Sequence, residues 1–377
     1  MRKILLLGII IFIVTGFVYI RSLNNQMPSF NSPQSSKPTQ VVPADSFATT
    51  VIAENLDTPW GIAFLPDGSI LITERPGRIR LIDVSGVLKP TPVVTLKEAK
   101  EIGEGGLLGI TLHPNFSSNK YVYLYYTYAA NDDQTLNRVV RMTFQDQRME
   151  NEQVIVDKIP GAFNHNGGRI KFGPDGFLYV TTGDAEEPSQ AQDLNSLAGK
   201  ILRVTDEGKP ALGNPFKTKI YSYGHRNPQG LVWDKRNRLW ATEHGRSGTK
   251  SGLDELNLVE SGKNYGWPTI QGDEQKLGME ASRLNSGSDT WAPAGAAFVG
   301  ESVFFGGLRG QALYEAIIQE DKIIIKEHFK KELGRIRDVV LGPDGYIYIS
   351  TSNRDGRGKV NEGDDKILKI NIQKLSD

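Results

Sequence analysis

From about residue 47 onward the chain alternates apolar and polar positions in short runs rich in β-branched and aromatic residues, broken by Pro, Asp and Gly. Alternation with a period of two marks a half-buried strand, and Pro-Asp-Gly is turn chemistry. Three stretches are near copies of one another: "WGIAFLPDGSILITE" (60–74), "GRIKFGPDGFLYVTTGD" (168–184) and "RDVVLGPDGYIYISTSN" (337–353). Each predicts an apolar strand, a tight turn and a second strand. Two looser copies are "LLGITLHPNFSSNKYVYLYYT" (107–127) and "GLVWDKRNRLWATE" (230–243). Measured at the turn, from Pro66 through Pro114, Pro174 and Asp234 to Pro343, the steps are 48, 60, 60 and 109 residues. The last step is nearly twice the others, so a sixth copy belongs between, and "GAAFVGESVFFGGLRGQALYEAI" (295–317) fills the gap.

Six units of about 50 residues, each supplying short strands, predict an all-β fold: a six-bladed β-propeller of four-stranded antiparallel blades. "FATTVIAE" (47–54) precedes the first repeat and "DKILKI" (365–370) follows the last, so these two segments are expected to pair and close the ring. Residues 47–377 are therefore expected to form a single domain.

The N-terminus breaks the pattern. Arg2 and Lys3 precede an apolar run from Ile4 to Ile20 that ends at Arg21. That length is at the lower limit for a spanning helix and longer than most signal-peptide cores. With no small-residue cleavage site following, residues 1–21 are expected to be an uncleaved membrane anchor, with a cleaved signal segment as the alternative. Basic residues on the N-terminal side place the body outside the cytoplasm, in the periplasm or at the cell surface. Residues 22–46 are rich in Ser, Pro, Asn and Gln and are expected to be a disordered tether, the chain touching membrane through the anchor only.

Composition narrows the chemistry. Basic and acidic residues balance at 44 each, which argues against nucleic acid as a partner and makes any anion site a local cluster of cations. There are no cysteines, so thiolate nucleophiles and disulfides are excluded.

Within each hairpin, residues equidistant from the turn face one another. His165 and Asp184 are so placed about the turn at 174–175, Asn227 and His244 about 235–236, and Arg335 and Asn353 about Asp344. In a propeller these hairpin ends gather at one mouth of the central channel. The mouth would then hold His165, Asp184, Arg226, Asn227, Glu243, His244, Arg335 and Arg337, with Glu104 ahead of the second repeat. A carboxylate on one imidazole nitrogen makes the other a better base. Taken alone, His165 in "FNHNGGRI" could equally be a plain strand-end residue. Arg335 and Arg337, spaced i, i+2, should share a face with Arg226 nearby, and such guanidiniums call for a ligand bearing several carboxylates or phosphates. Asp254 and Glu255, set among glycines, suit a hard cation such as calcium, although the spacing is not an EF-hand loop.

A family resemblance now becomes specific. "LDTPWGIAFLPDG", "GEGGLLGITLHPNF", "HNGGRI", "YGHRNPQGL", "TEHG", "DELNLVESGKNYGWP", "APAG" and "GRIRDVVLGPDGYIY" occur in this order across the body. Together they resemble the soluble quinoprotein aldose (glucose/sorbosone) dehydrogenases, six-bladed propellers that use pyrroloquinoline quinone (PQQ) and calcium. The resemblance implies oxidation of an aldose at C1 to its lactone, with electrons passed to an external acceptor. His165 would take the C1 hydroxyl proton, Asp184 would orient it, and hydride would pass from C1 to C5 of the quinone. Arg226 would polarise the C5 carbonyl. Asn227, Gln229, Arg335, Arg337 and Asn353 would hold the cofactor. Carbonyls of Gly245 and Arg246 would ligate its calcium, and Asp254 and Glu255 match the acidic pair of a second calcium site. Two positions depart from the pattern. Arg309 stands where some relatives place a lysine against the cofactor, and Glu104 stands where some place a glutamine. The Gly167-Gly168 pair is expected to leave room for the sugar ring. Two other readings stay open: a non-catalytic cell-surface propeller that binds a sugar or protein, and a calcium-dependent lactonase.

Overall fold

The computed structural model describes residues 48–130, 134–248, 251–320 and 322–375. The expected anchor and tether at 1–46 lie outside the described residues. Among those described, no helix is long and apolar enough to cross a membrane.

The repeat seen in the sequence becomes six antiparallel sheets of four strands each among the described residues. The blades run over residues 59–95, 107–160, 170–223, 228–285, 293–328 and 336–370. Each begins with an inner strand that turns at the Pro-Asp-Gly position or its equivalent. In the last blade, Ile336–Leu341 pairs with Ile347–Thr351, Leu341 facing Ile347 across the turn. The gap in the period is filled as expected, by a hairpin of Pro293–Val299 and Ser302–Gly307. The ring closes with Thr49–Ala53 lying antiparallel to Ile367–Ile370, Thr49 opposite Ile370. The sixth blade is thus assembled from both ends of the domain, residues Phe47–Asp377 forming one compact unit.

Apolar side chains pack between blades, because each sheet has a face toward each neighbour. One cluster joins the first and second blades through Leu71, Ile79, Leu124 and Val140, all fully buried or nearly so. Equivalent clusters follow around the ring, and the last joins Tyr348 and Ile367 of the sixth blade to Ile62 and Ile72 of the first. Inner strands of neighbouring blades approach closely near the axis. A side chain at Gly109 would put its Cβ 2.2 Å from the Gly168 carbonyl oxygen, so glycine is required there.

At the mouth end the inner hairpins slip register: between Pro228 and Gly230, and between Ile336 and Asp338. A bulge inserts an extra residue and re-aims its side chain. The inserted residues are Gln229 and Arg337, and the Arg337 guanidinium donates to the Gln229 side-chain oxygen.

Candidate active site

The loop before the third inner strand and the loop after its partner strand bring His165 to Asp184. His165 Nδ1 lies 2.8 Å from Asp184 Oδ1. Asp184 is fully buried, while the His165 side chain keeps 16% of its surface exposed. Oδ1 also accepts from the Glu186 N–H at 3.0 Å, and Oδ2 accepts from the Trp267 indole N–H at 2.8 Å. With donors on both oxygens, the carboxylate leaves Nδ1 to carry the imidazole proton. Nε2 is then the free, basic nitrogen. His165 itself adopts φ of 59°, and Ala185 and Glu186 on the facing loop adopt 53° and 62°. Left-handed backbone at such residues is sparsely populated and collects at functional sites.

Glycine on this hairpin has a reason in the backbone itself. A Cβ on Gly167 would strike Thr181 O and Thr182 Cα, each at 2.6 Å. The hairpin's own backbone excludes a side chain there, and φ of 64° favours glycine independently.

Arg226 joins this group from the loop before the fourth blade. Its carbonyl accepts from the Asp184 N–H at 2.7 Å, which ties the two segments together. The guanidinium lies over the Trp267 ring, 5.3 Å from its centroid, and donates to Ser247 Oγ at 2.8 Å. Burial lowers its pKa, opposed by the charges of Asp184 and Glu104. Asn227 accepts from the Gly167 N–H at 2.9 Å through its side-chain oxygen.

The two arginines of the sixth blade part company at the bulge. Strict alternation would have kept Arg335 and Arg337 on one face. Instead Arg335 pairs with buried Asp355 at 2.7 Å and donates to the Leu308 carbonyl at 3.1 Å. Its backbone N–H is held by Asn353 Oδ1 at 2.9 Å. Arg337 turns inward over Trp60, whose ring also carries Arg169 at 4.3 Å. Burial pushes Arg337 down to about 9, with Asp355 opposing and Arg335 and Arg75 reinforcing.

Five buried polar atoms in this neighbourhood have no hydrogen-bond partner: Arg226 Nε, Asn227 Nδ2, His244 Nε2, Arg246 Nε and Arg337 Nε. Such groups are costly to bury unmet, and four of them are donors by chemistry. A site built this way asks for an anionic, acceptor-rich ligand.

Glu104 sits beside His165, whose backbone N–H approaches its Oε2 at 3.4 Å. Arg357, from the loop after the sixth blade's inner hairpin, donates to Glu104 and, at 2.9 Å, to Asn164 Oδ1. Burial raises the Glu104 carboxyl, but His244, Arg357 and Arg337 hold it down to about 2. Burial also pushes His244 down to about 3, so its ring is neutral at neutral pH and the guanidiniums carry the effect. Arg309 is exposed, with its backbone N–H donating to the Trp291 carbonyl at 3.2 Å. The structure does not bring its side chain to the others.

The acidic pair Asp254 and Glu255 divides. Neighbouring residues at a strand point to opposite faces. Asp254 accepts from the N–H groups of Gly245, Trp291 and Ala292 at 2.8, 2.7 and 2.9 Å, so it fixes the loop carrying Gly245 and Arg246. Glu255 faces Glu243 directly across the sheet. Burial, reinforced by Glu243, pushes its carboxyl up to about 8. Among the described residues no group of three or more His, Cys, Asp or Glu side chains is arranged to hold a metal.

Trp267, Asp355 and Arg357 were missed by reading hairpins alone. All three come from loops, and the signal for them is present only as the motif "NYGWP" and the "NRDGRG" run that starts at Asn353.

A family profile described as glucose/sorbosone dehydrogenase matches residues 56–362. The chain is 32% identical to an aldose sugar dehydrogenase of Escherichia coli over 339 residues, covering 81% of this chain and 90% of that one. It is 35% identical to an uncharacterized protein of Synechocystis over 353 residues, 81% and 84% of the two chains. Among solved structures, the PQQ-bound aldose sugar dehydrogenase of Streptomyces coelicolor superposes with a TM-score of 0.79 at 38% identity, covering 85% of this chain and 97% of that one. An oxidoreductase of Thermus thermophilus, described as a glucose dehydrogenase, gives 0.81 at 43%, covering 86% and 99%.

Proposed function

The chain belongs to the glucose/sorbosone dehydrogenase family, and from that premise we propose that it is a PQQ-dependent aldose sugar dehydrogenase oxidising its substrate at C1 to the lactone. The observation that carries this reading is the set of unmet buried donors around Arg226, Asn227 and Arg337, beside a histidine whose Nε2 is free. A tricarboxylate quinone supplies acceptors for those donors and is the group that would take up the hydride equivalent.

The chain's own residues do the rest. Asp184 fixes the tautomer of His165 and balances the charge that the ring gains when Nε2 takes the C1 hydroxyl proton. Arg226, desolvated and free on one edge, would stabilise negative charge developing on a carbonyl oxygen. Arg337 and Asn227 would bind and orient the cofactor, and Gln229 holds Arg337 in place. Arg335 and Asn353 shape that wall of the site, with Asp355 already meeting the Arg335 charge. Arg309, exposed, could reach a ligand only by turning inward. For calcium, the Gly245 and Arg246 carbonyls sit on a loop that Asp254 pins, and Glu255 faces a second carboxylate whose repulsion a cation would relieve. Electrons would leave through an external acceptor, and the N-terminal segment would keep the domain outside the cytoplasm.

The test is to add PQQ and calcium to the purified chain and follow dye reduction with a panel of aldoses. Turnover that depends on both additions is expected. His165→Gln should still bind quinone, read by fluorescence quenching, while turnover falls by about two to four orders of magnitude. Near-normal turnover in that variant, or no quinone binding by the parent chain, would sink the reading.

A further inference from the structure

Asp184 and Arg226 carry opposite charges, are both buried, and stand on segments joined by a 2.7 Å backbone hydrogen bond. Groups so placed normally close into an ion pair. Here they do not: no hydrogen bond or ion pair joins the two side chains. Asp184 spends its oxygens on His165, Glu186 and Trp267, and Arg226 keeps a buried Nε without a partner. One side chain touches both. The Trp267 indole N–H occupies Asp184 Oδ2 at 2.8 Å, and its ring face carries the Arg226 guanidinium at 5.3 Å.

We propose that Trp267 is a positioning residue that keeps Asp184 and Arg226 apart, so that the aspartate stays with His165 and the arginine stays free for an incoming acceptor. The indole suits this task because it has a donor edge and an electron-rich face at right angles to it. The edge satisfies the carboxylate oxygen, and the face holds the cation without neutralising it. Phenylalanine would offer the face alone. A lysine or arginine would pair with the carboxylate but repel Arg226.

The placement of Trp267 is itself built. Its residue belongs to the fourth blade and reaches across to the third. The Trp267 N–H donates to the Gly224 carbonyl at 2.9 Å, and its own carbonyl accepts from Gln192 Nε2 at 2.6 Å. Gln192 is in turn clasped to Asn264, with bonds of 3.0 and 2.8 Å between the two amides. Both ends of the residue's backbone are therefore fixed, and the indole is aimed by the loop rather than by its contact with Asp184.

This inference rests on the role proposed above for Arg226, and its test separates the two. The first measurement needs no cofactor. In a crystal structure of Trp267→Phe, the Arg226 guanidinium is expected within hydrogen-bond distance of Asp184 Oδ2. A guanidinium left over the ring, with Asp184 taking up water, overturns the proposal. The second measurement is PQQ affinity by calorimetry on the full chain. Trp267→Phe should bind about tenfold more weakly because Arg226 is diverted, and adding Asp184→Asn should restore affinity to within about twofold. A tryptophan with a merely structural role would give no such rescue, so equal weakening in the single and double variants overturns the proposal as well. Should Trp267→Phe fail to fold, the parent chain still decides. Its Trp267 indole proton, held on Asp184 Oδ2 with Arg226 covering the ring face, should exchange with solvent about a hundredfold more slowly than an exposed indole, and fast exchange counts against the proposal. A chain that binds no PQQ would sink the proposed function while leaving the crystallographic result to judge this one.

Discussion

At the scale of single residues, the site mixes paired and unpaired charges, and Glu104 with Arg357 is one of the pairs. Its carboxyl is held at about 2, below the ordinary 4.5, with burial opposing and Arg357 and Arg337 supplying the effective positive charge. A depressed carboxyl stabilises the fold above its unfolded pKa and loses that contribution as pH falls through the folded value. Cofactor-free Glu104→Gln should therefore be less stable than the parent above about pH 4.5, by about 1 kcal/mol once solvent around half-exposed Arg357 is allowed for. The gap should narrow from there down to about pH 2. Urea unfolding of both proteins across that range checks it, and a gap independent of pH would mean that packing, not charge, distinguishes the two. Much of this residue-level pattern was legible. Facing positions about a turn gave the His165–Asp184 contact, because hairpin geometry is local. The side-chain partners of Arg335 and Arg337, and the Trp267 contact of Asp184, were not legible. Asp355 and Trp267 arrive on loops whose paths depend on neighbouring blades, and a bulge at Arg337 overrides the alternation from which a shared face was read.

At the scale of elements, the rigid hairpins place the loops, but one loop is fastened by a single buried lysine. Lys200 opens the third strand of the third blade with no exposed surface. Its Nζ donates to the carbonyls of Gln190, Ala191 and Ala198 at 2.8, 3.1 and 2.5 Å. Those carbonyls belong to the segment that follows Asp184, so the lysine braces the loop on which the aspartate stands. Lys200→Met would keep the length and remove three hydrogen bonds, leaving the Ala198 carbonyl unmet while Gln190 and Ala191 keep the N–H groups of Asp193 and Gly224. We expect a loss of about 3 kcal/mol, at roughly 1 kcal/mol for each hydrogen bond removed. Faster proteolysis between residues 184 and 199 should accompany it, because opening would be local. Global unfolding that moves without any change in cleavage at that loop would show that the lysine supports the blade and not the loop. The strand pattern around it was readable from period and turn chemistry, whereas a lysine at the head of an apolar strand gave no sign that three backbone carbonyls would enclose it.

At the scale of the whole molecule, the propeller is closed because strands from both ends of the domain share one sheet. Here Thr49–Ala53 supplies the outer strand of the sixth blade, with Thr49, Thr50, Val51 and Ala53 opposite Ile370, Lys369, Leu368 and Ile367. The same segment places Ala53 in the cluster that seals the sixth blade against the first. The sequence repeats had pointed to this closure, since an unpaired strand-like run stood at each end of the repeating region. A chain starting at residue 47 should unfold in one cooperative transition, because every blade packs on two others and none can melt alone. A chain starting at residue 55 lacks the closing strand. It should lose about 4 kcal/mol, roughly 1 kcal/mol for each ladder pair given up. It should also aggregate more readily, because the edge of Ile367–Ile370 would then be open to pair with another molecule. Adding a synthetic peptide of residues 47–54 should recover part of the lost stability by occupying that edge, with thermal unfolding as the readout. If the shorter chain unfolded at the same temperature as the longer one and stayed monomeric, closure by this strand would be dispensable, and the ring would be held by its inter-blade clusters alone.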